Sequence, residues 1–338
     1  MLTLAYIGNG KSTNRYHLPF VRTLKDKFKV KYVYVRHFKS EWEKQPYVTY
    51  TTDLDVLLKD TTVNLIVITT PMASHYEYAK LALEHGKHVL VEKPFVKTAR
   101  EAKELFQLAK EKGLILECYQ NRRFDSDFLT VQKVIDSQKL GDIYEIDMHF
   151  DYFRPEVSQG TEIFNVEDSF VYTHACHTLD QVISCFGVPT STHFDVRQLL
   201  GEGRMNDYFD IDLYYQNMKV SVKSSYFRIK PRPSFVVYGM KGTFIKDKKD
   251  RQEEHLKYFY MPEHDDFGVD TLEDYGVLTY VDDLGCIHEE KIVSEKGHYK
   301  YFYEHLHDTI VLGKEKLVKD EETILQIELL EKGVENLW

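Results

Sequence analysis

Hydrophobic and polar positions along the first 120 residues form two alternating kinds of segment. Short apolar runs predict buried strands, and longer segments with apolar positions three or four apart predict helices. The predicted strands are residues 2–7, 30–35, 65–69, 89–91 and 114–118, and the predicted helices are 12–27, 53–58, 74–85 and 97–112. Strands and helices that alternate through short connections predict right-handed βαβ units and a parallel, doubly wound sheet.

The pattern changes after about residue 122. The predicted strands here are residues 143–153, 194–198, 210–215, 219–226, 235–238 and 243–246, and the predicted helices are 125–137, 173–186, 301–312 and 321–337. Strands that follow one another through turns predict a large, mostly antiparallel sheet in an α+β domain. A length of 338 residues fits two domains, which we place at 1–122 and 123–338.

The turn after the first predicted strand, AYIGNGKS, fits two nucleotide-binding patterns. As a P-loop it would place Tyr6 and Ile7 in the phosphate cradle, and the predicted strand 65–69 would lack the Asp that holds Mg²⁺. As a dinucleotide fingerprint, Gly8 and Gly10 form the turn between the first strand and the first helix. The second pattern fits better and predicts an α/β Rossmann fold, with a glycine turn that binds nothing as the alternative.

This turn predicts the first cofactor contacts. They are Gly8, Gly10, Lys11, Ser12 and Thr13. The third fingerprint position is Thr13, where most such folds have Gly or Ala. The motif therefore depends on its place at the first strand–helix junction for its weight.

The end of the second predicted strand indicates which dinucleotide is preferred. Folds that prefer NAD place an Asp or Glu near this point to bind the ribose hydroxyls, but this chain has Arg36 and, further on, Lys39. Because a guanidinium pairs with a phosphate through two parallel hydrogen bonds, we expect Arg36 to bind the 2′-phosphate of NADP, and NAD to be the weaker cofactor. A solvated basic loop is the alternative.

Composition excludes several classes of function. The net charge of −10 argues against a nucleic-acid-binding protein, which usually needs a basic face. No apolar run reaches the roughly 18 residues of a membrane span, and the N-terminus lacks the layout of a signal peptide. We expect a cytoplasmic protein with no nucleic-acid or membrane partner. The four cysteines form no CxxC pair, which predicts reduced and mostly buried thiols.

Two motifs in the first half carry a family resemblance. They are Thr70-Pro71-x-x-x-His75 and Glu92-Lys93-Pro94. With the glycine turn and segments 119–123 (YQNRR), 139–143 (KLGDI) and 177–180 (HTLD), they resemble the Gfo/Idh/MocA family of oxidoreductases. Segments 121–123 (NRR) and 152–156 (YFRPE) are further similar to its NADP-dependent scyllo-inositol dehydrogenase subgroup.

The resemblance implies the remaining cofactor and substrate residues. Lys93, at the carboxyl end of a parallel strand, would contact both the nicotinamide ribose and a substrate hydroxyl, before a Pro94 that is expected to be cis. The other implied cofactor contacts are Thr70, Pro71, His75, Glu92 and Asn121. The implied substrate contacts are Lys93, Tyr152, Arg154, Thr173 and His177. The family also implies a homodimer or homotetramer and a C-terminal helix that docks on the first domain.

His177 is implied as the catalytic acid–base, with Asp180 on the same side of the helix. The family pattern has an Asp four residues before this histidine, where the chain has Thr173. This departure removes a charge that would orient the imidazole. Slower chemistry, another acid such as Asp180 and a different substrate are the alternatives. A metal site at His174, Cys176 and His177 is disfavoured, since Cys176 points elsewhere on a helix and a further ligand is lacking.

Together these features predict hydride transfer between NADP(H) and a polyol, sugar or inositol-like substrate, with Lys93 and His177 as catalytic residues. The alternative is an NADP-binding sensor without turnover, which Thr173 in place of the family Asp makes plausible. A P-loop phosphotransferase is a more distant alternative.

Overall fold

The computed structural model describes residues 1–38, 42–155 and 162–337, in two compact units. The first unit contains Met1–Asn121, Glu254–Phe267 and Tyr299–Ile327, and the second contains Arg122–Glu253, Gly268–His298 and Glu328–Trp338. The predicted division at residues 122 and 123 stays a prediction, while packing assigns two later segments to the first unit. Lys39 and Glu156, which the sequence analysis mentions, lie outside the described residues.

The first unit has a six-stranded parallel sheet. Its strands are β1 (Leu2–Ile7), β2 (Phe28–Tyr34), β3 (Thr49–Thr51), β4 (Leu65–Ile68), β5 (His88–Val91) and β6 (Leu116–Cys118). The spatial order β3-β2-β1-β4-β5-β6 is the doubly wound Rossmann order. β1 and β4 are almost entirely buried, which explains why they read as continuous apolar runs. The predicted Rossmann fold is confirmed.

Helices of the first unit connect and cover these strands. They are α1 (Leu18–Arg22), α2 (Asp55–Leu58), α3 (His75–Glu84), α4 (Ala99–Glu111) and α8 (Lys300–Leu312). α4 begins with a capping box, in which Thr98 and Glu101 each bond the other's backbone amide. α8 packs on α1 in the same unit.

The second unit has an eight-stranded sheet. Its strands are β7 (Ile143–His149), β8 (Ser191–Arg197), β9 (Tyr208–Tyr214), β10 (Lys219–Ser225), β11 (Phe235–Gly239), β12 (Gly242–Lys246), β13 (Gly276–Val281) and β14 (Ile287–Ile292). The order is β14-β13-β12-β11-β7-β10-β9-β8, and β7 with β10 is the parallel pair in an otherwise antiparallel sheet. The helices are α5 (Ser126–Asp136), α6 (Cys176–Phe186), α7 (Gln252–Lys257, shared with the first unit) and α9 (Asp320–Val334, likewise shared). The predicted mostly antiparallel sheet is confirmed.

Two predicted helices differ from the structure at their beginnings. The single helix predicted at 12–27 is a π-helix, Ser12–His17, followed by the short α1, and Pro19 near the junction lacks the N–H that a continuous α-helix needs. The helix predicted at 173–186 is a π-helix, Val171–Ala175, followed by α6. Insertion of π turns is common at functional sites and changes which side chains share a face.

The sequence analysis missed several elements and misjudged the cysteines. β3, β13, β14 and α7 are not among the predicted elements. The prediction of mostly buried thiols is wrong, because Cys118 and Cys176 are buried but Cys185 and Cys286 are exposed; all four are free. No helix in the described part of the chain is both long and apolar enough to span a bilayer.

Candidate functional site

The glycine turn at the carboxyl end of β1 contains two glycines with different requirements. Gly8 has φ +117°, and a Cβ there would lie 2.6 Å from Thr69 Oγ1 and 3.1 Å from the Thr69 carbonyl carbon. Gly8 is thus required for the turn and for the close approach of β4. A Cβ at Gly10 would meet nothing within 4 Å. Space is therefore open at Gly10 for a ligand to approach the backbone.

Thr13 closes this turn from the inside. Its side chain is fully buried, and Oγ1 donates to the Gly8 carbonyl oxygen at 3.0 Å. Thr13 Oγ1 also lies 2.7 Å from Thr69 Oγ1, which is 3.1 Å from the Ile7 carbonyl oxygen. The hydroxyl thus ties the helix to both strand ends, which explains why a threonine stands at the third fingerprint position.

A buried polar network connects the turn to the Glu-Lys-Pro motif. Glu92 Oε1 lies 3.0 Å from His17 Nε2 and accepts a hydrogen bond from the Ser12 hydroxyl. Glu92 Oε2 accepts from the Lys93 backbone N–H at 2.9 Å. His17 Nδ1 lies 2.6 Å from the Tyr303 hydroxyl. One carboxylate therefore bonds both the first turn of the π-helix and the backbone of Lys93.

This network keeps Glu92 ionised. Burial alone would raise the pKa of this carboxyl, but the hydrogen bond and charge of His17, the charge of Lys93 and the Ser12 hydroxyl together lower the pKa to about 2. Glu92 is 8% exposed. A buried carboxylate with this many partners is a fixed structural charge at the end of β5.

His75 connects the loop that follows β4 with the loop that follows β5. Its ring is buried, with Nε2 2.7 Å from the Thr70 carbonyl oxygen and Nδ1 3.0 Å from those of Pro94 and Phe95. Both ring nitrogens thus contact backbone oxygens. His75 therefore connects the residues after β4 with those after the Lys93–Pro94 peptide, which is cis as expected.

Arg36 follows β2 and is exposed. Among the described residues, Arg36 forms no salt bridge with a carboxylate. Burial raises the pKa of the nearby Tyr78 phenol, and the charge of Arg36 opposes this rise. An exposed guanidinium at this strand end is the donor that a ribose 2′-phosphate requires. Lys11 is exposed, Lys93 is half-buried, and Pro71 is exposed beside the half-buried Thr70.

These residues fit a dinucleotide. The open position at Gly10, the exposed Lys11 and the Arg36 guanidinium are arranged at the carboxyl edge of a Rossmann sheet, where such folds bind ligands. The Ser12 hydroxyl, by contrast, is bonded to Glu92. Asn121 is buried at the start of a 3₁₀ turn, Asn121–Phe124.

In the second unit, His177 lies in the first turn of α6 and is 7% exposed. The Thr173 hydroxyl donates to the Ser169 carbonyl oxygen at 2.9 Å and lies 2.8 Å from His174 Nδ1. Thr173 is four residues before His177, a spacing that places two side chains on one face of an α-helix. Thr173, however, lies in the π-helix that precedes α6. The Thr173 hydroxyl thus contacts the neighbouring histidine, His174.

Asp180 has a different role from the one considered in the sequence. Its two oxygens lie 2.8 and 2.7 Å from Nε and Nη2 of Arg123, in a buried bidentate pair. Both carboxylate oxygens are therefore occupied by Arg123, and Asp180 does not fit the role of a substitute acid. In the described residues, no group of three His, Cys, Asp or Glu side chains is arranged to hold a metal ion.

Aromatic side chains surround His174. The rings of Tyr152 and Phe170 lie 5.1 and 4.4 Å from its ring, centroid to centroid. Arg154 is exposed, and its guanidinium carbon lies 4.3 Å from the Tyr152 ring centroid. Burial raises the pKa of the Tyr152 phenol, which therefore stays a neutral hydroxyl at physiological pH.

The structure thus groups the predicted residues within each unit. The glycine turn, Arg36 and the Glu-Lys-Pro motif lie at the carboxyl ends of neighbouring strands of the first unit. In the second unit, His174 contacts Tyr152 and Thr173, and Arg154 lies over the Tyr152 ring. The sequence analysis missed His17 and Tyr303, which are 286 positions apart and meet in the buried network.

The sheet order, the glycine turn after β1 and the Glu-Lys-Pro motif at the end of β5 define a dinucleotide-binding protein with a second α+β unit. Two family models match the chain: the oxidoreductase family NAD-binding Rossmann fold over residues 2–120, and the oxidoreductase family C-terminal alpha/beta domain over 132–336. The chain belongs to the Gfo/Idh/MocA family of oxidoreductases.

Similar proteins cover nearly the whole chain. The uncharacterized oxidoreductase YhhX of Escherichia coli is 45% identical over 99% of this chain and 96% of its own length. The crystal structure of an oxidoreductase from Bacillus cereus, 44% identical, superposes with a TM-score of 0.94 over 98% of this chain and 95% of its own. The scyllo-inositol 2-dehydrogenase (NADP(+)) IolW of Bacillus subtilis is 30% identical over 99% of this chain and 93% of its own length.

Proposed function

We propose that this oxidoreductase is an NADP-dependent dehydrogenase or reductase that acts on a CH–OH group of a polyol, sugar or inositol-like substrate. The observation that carries the proposal is Lys93, which lies two residues beyond the carboxyl end of β5 and whose backbone N–H donates to the buried Glu92 carboxylate. An ammonium at this edge of the sheet can polarise a substrate oxygen. The NADP-dependent relative IolW supports both the cofactor and the substrate class.

The chain's own residues would hold the cofactor. Gly8 shapes the turn, the open backbone at Gly10 receives the pyrophosphate, and Arg36 pairs with the 2′-phosphate. Lys11 supplies a further exposed positive charge. When bound, the nicotinamide ring would act as the hydride donor or acceptor.

Proton transfer is the role of His177. An imidazole can accept the hydroxyl proton when the substrate is oxidised and return a proton to the carbonyl oxygen when it is reduced. Lys93 is proposed to donate a hydrogen bond to a substrate oxygen. Tyr152, Arg154 and Thr173 are proposed to position the substrate from the second unit.

We further propose a cytoplasmic homodimer or homotetramer, as the family resemblance implies. The proposed contact surface is the outer face of the second unit's sheet. Measurement of mass in solution by light scattering, over a range of protein concentrations, tests this assembly; a monomer at all concentrations contradicts it.

A coupled screen tests the activity. NADP reduction is followed at 340 nm against a panel of inositols and aldoses, with NAD in parallel, for the wild type and for His177→Ala. We expect turnover with NADP for at least one substrate and a large loss in His177→Ala. If NADPH binds tightly but no substrate of the panel, and no corresponding ketone, is turned over, an NADP sensor becomes the better reading. If His177→Ala keeps full activity, the histidine is structural.

A further inference from the structure

Three cationic side chains of the second unit lie on the faces of two neighbouring aromatic rings. Lys249 Nζ lies 3.8 Å from the ring centroid of Phe150 and 4.9 Å from that of Tyr152. The guanidinium carbons of Arg154 and Arg122 lie 4.3 Å from the Tyr152 centroid and 4.9 Å from the Phe150 centroid. We call these five residues the cation–aromatic cluster.

One cation of the cluster is neutralised by acidic side chains. Arg122 forms salt bridges with Asp125, at 3.1 Å, and with Glu253. These two carboxylates hold the guanidinium in place over Phe150. Arg122 therefore belongs to the frame of the cluster.

The other two cations, Lys249 and Arg154, form no salt bridge with the described carboxylates. Lys249 Nζ donates to the backbone oxygen of Asp151 at 3.1 Å, while the Asp151 carboxylate is bonded by Arg232 through two 2.9 Å contacts. Across residues 1–38, 42–155 and 162–337, neither Lys249 nor Arg154 forms a salt bridge.

Burial of the charged Lys249 ammonium beside Arg122 raises the free energy of the folded protein. Burial, and then the charge of Arg122, lower the pKa of Lys249 to about 8 in a chain whose net charge is −10. Aromatic faces offset part of the cost, but an anion would offset more of it. The arrangement therefore favours a negatively charged ligand.

The cluster borders the helix that carries His177. Gln181, one turn further along α6, donates from Nε2 to the Arg122 carbonyl oxygen at 2.7 Å. On the other side, the Tyr152 ring lies 5.1 Å from that of His174. A substrate held by His177 would thus have the cluster as a neighbour within the same unit.

We propose that the cation–aromatic cluster is a subsite for an anionic group of the substrate, a carboxylate or a phosphate, bound by Lys249 and Arg154. The substrate class is then an acidic sugar or polyol, a sugar acid or a sugar phosphate, rather than a neutral one. Arg154 offers a planar fork and Lys249 a point charge, and both geometries suit such groups. This inference rests on the proposed function for the identity of the ligand as a substrate.

Direct binding tests the subsite without turnover. The full-length protein, with NADPH present, is titrated calorimetrically with glucose, glucuronate, glucose 6-phosphate and inorganic phosphate. We expect one or more of the anions to bind more tightly than glucose, and comparison of glucuronate with the two phosphates shows which group is preferred. If no anion binds more tightly than glucose, the proposal is wrong.

Variants connect the preference to the cluster. Lys249→Met and Arg154→Gln should each weaken binding of the preferred anion by about 10- to 150-fold, the range for loss of a charge-assisted hydrogen bond. Lys249→Met should also leave glucose binding unchanged. Lys249→Arg should restore most of the affinity, which shows that a misfolded variant is not the cause. Lys112→Met, at an exposed lysine of the first unit, is the matched control. Unchanged anion affinity in both cluster variants overturns the proposal.

The outcomes also separate this inference from the proposed function. An anion preference that depends on Lys249, without turnover of any sugar by NADP, supports the subsite and contradicts the dehydrogenase. Turnover of neutral polyols with no anion preference supports the dehydrogenase and contradicts the subsite.

Discussion

Glu92 and His17 meet in the interior of the first unit, with Oε1 of the carboxylate 3.0 Å from Nε2 of the imidazole. The pair joins two parts of the proposed cofactor site, because the Ser12 hydroxyl and the Lys93 backbone N–H bond the same carboxylate. His17 is in turn anchored by Tyr303. The conformation of Lys93 is therefore coupled to that of the glycine turn through a single charged group.

The first prediction concerns stability in acid. The pKa of Glu92, lowered to about 2, means that the folded protein binds this proton less readily than the unfolded chain. The contribution of Glu92 is thus present above the ordinary value near 4.5 and is lost as the pH falls towards 2. It amounts to on the order of 3 kcal/mol. Urea unfolding at pH 5, 4 and 3 should show a shallower loss of unfolding free energy for Glu92→Gln than for the wild type.

The control for this measurement is Glu84→Gln, at an exposed position near the end of α3. It should reproduce the wild-type dependence on pH. Parallel curves for Glu92→Gln and the wild type would contradict the assignment of a strongly stabilised carboxylate.

The second prediction separates the two glycines of the turn. Gly8→Ala places a Cβ against Thr69 at a positive φ and should lower the unfolding free energy by about 1–3 kcal/mol without cofactor. Gly10→Ala has open space and should change it by less than about 0.5 kcal/mol. NADPH affinity should nevertheless fall in Gly10→Ala. Equal stability losses, or unchanged NADPH binding in Gly10→Ala, would show that the turn is not used as proposed.

The third prediction concerns the choice of cofactor. Arg36→Ala should weaken NADPH binding by about 10- to 150-fold, because a charge-assisted pair with the 2′-phosphate is lost, and should change NADH binding little. Fluorescence titration with both cofactors measures this difference. Lys29→Ala removes an exposed charge from β2 itself and serves as the control. A wild type that prefers NADH would rule out this role for Arg36.

The fourth prediction concerns Lys93. Lys93→Met keeps the aliphatic stem and removes the ammonium, so that the fold should survive while turnover falls by roughly 10²- to 10³-fold, as for the loss of one preorganised donor. Steady-state kinetics on a substrate from the screen, with melting curves for both proteins, measure the change. Near-normal turnover in Lys93→Met would exclude the catalytic role.

The fifth prediction concerns the pH dependence of anion binding. With a pKa of about 8, Lys249 is charged below this pH and neutral above it, so that affinity for glucuronate should fall as the pH rises from 7 to 9. Arg122 opposes the charge on Lys249, whereas Asp151, Asp127 and Glu253 favour it. Lys249→Met should bind weakly and without this dependence. An identical pH profile in the variant would contradict the prediction.

The first sheet was predictable because its strands are buried on both faces. Leu65–Ile68 has no exposed residue, and its continuous apolar run between two helical segments predicts a buried strand. The glycine turn was also predictable, since Gly8 answers a local backbone requirement. The role of Thr13 was not, because its hydroxyl bonds Thr69, which is distant in sequence.

Residues that act through long-range contacts escaped the sequence analysis. His17 looks like an ordinary helix residue until Tyr303 and Glu92 are placed beside it. Lys249 lies in a lysine-rich turn, where a solvated charge is the usual expectation, and its aromatic neighbours come from residues 150 and 152. The π-helix at Val171–Ala175 likewise has no local signal, and it changes the face on which Thr173 lies.

The anchoring of His17 by Tyr303 has a consequence for biosynthesis. The aromatic partners of α1 and β2 come from later segments of the nucleotide-binding unit: Phe20 packs on Phe267 and Tyr299, and Phe28 packs on Tyr303. At about 5–20 residues per second, the ribosome needs roughly 15–60 s to add the 286 positions between His17 and Tyr303. The packing of α1 and β2 therefore waits for segments that are made much later, and the rings of Phe20 and Phe28 lack these partners until then.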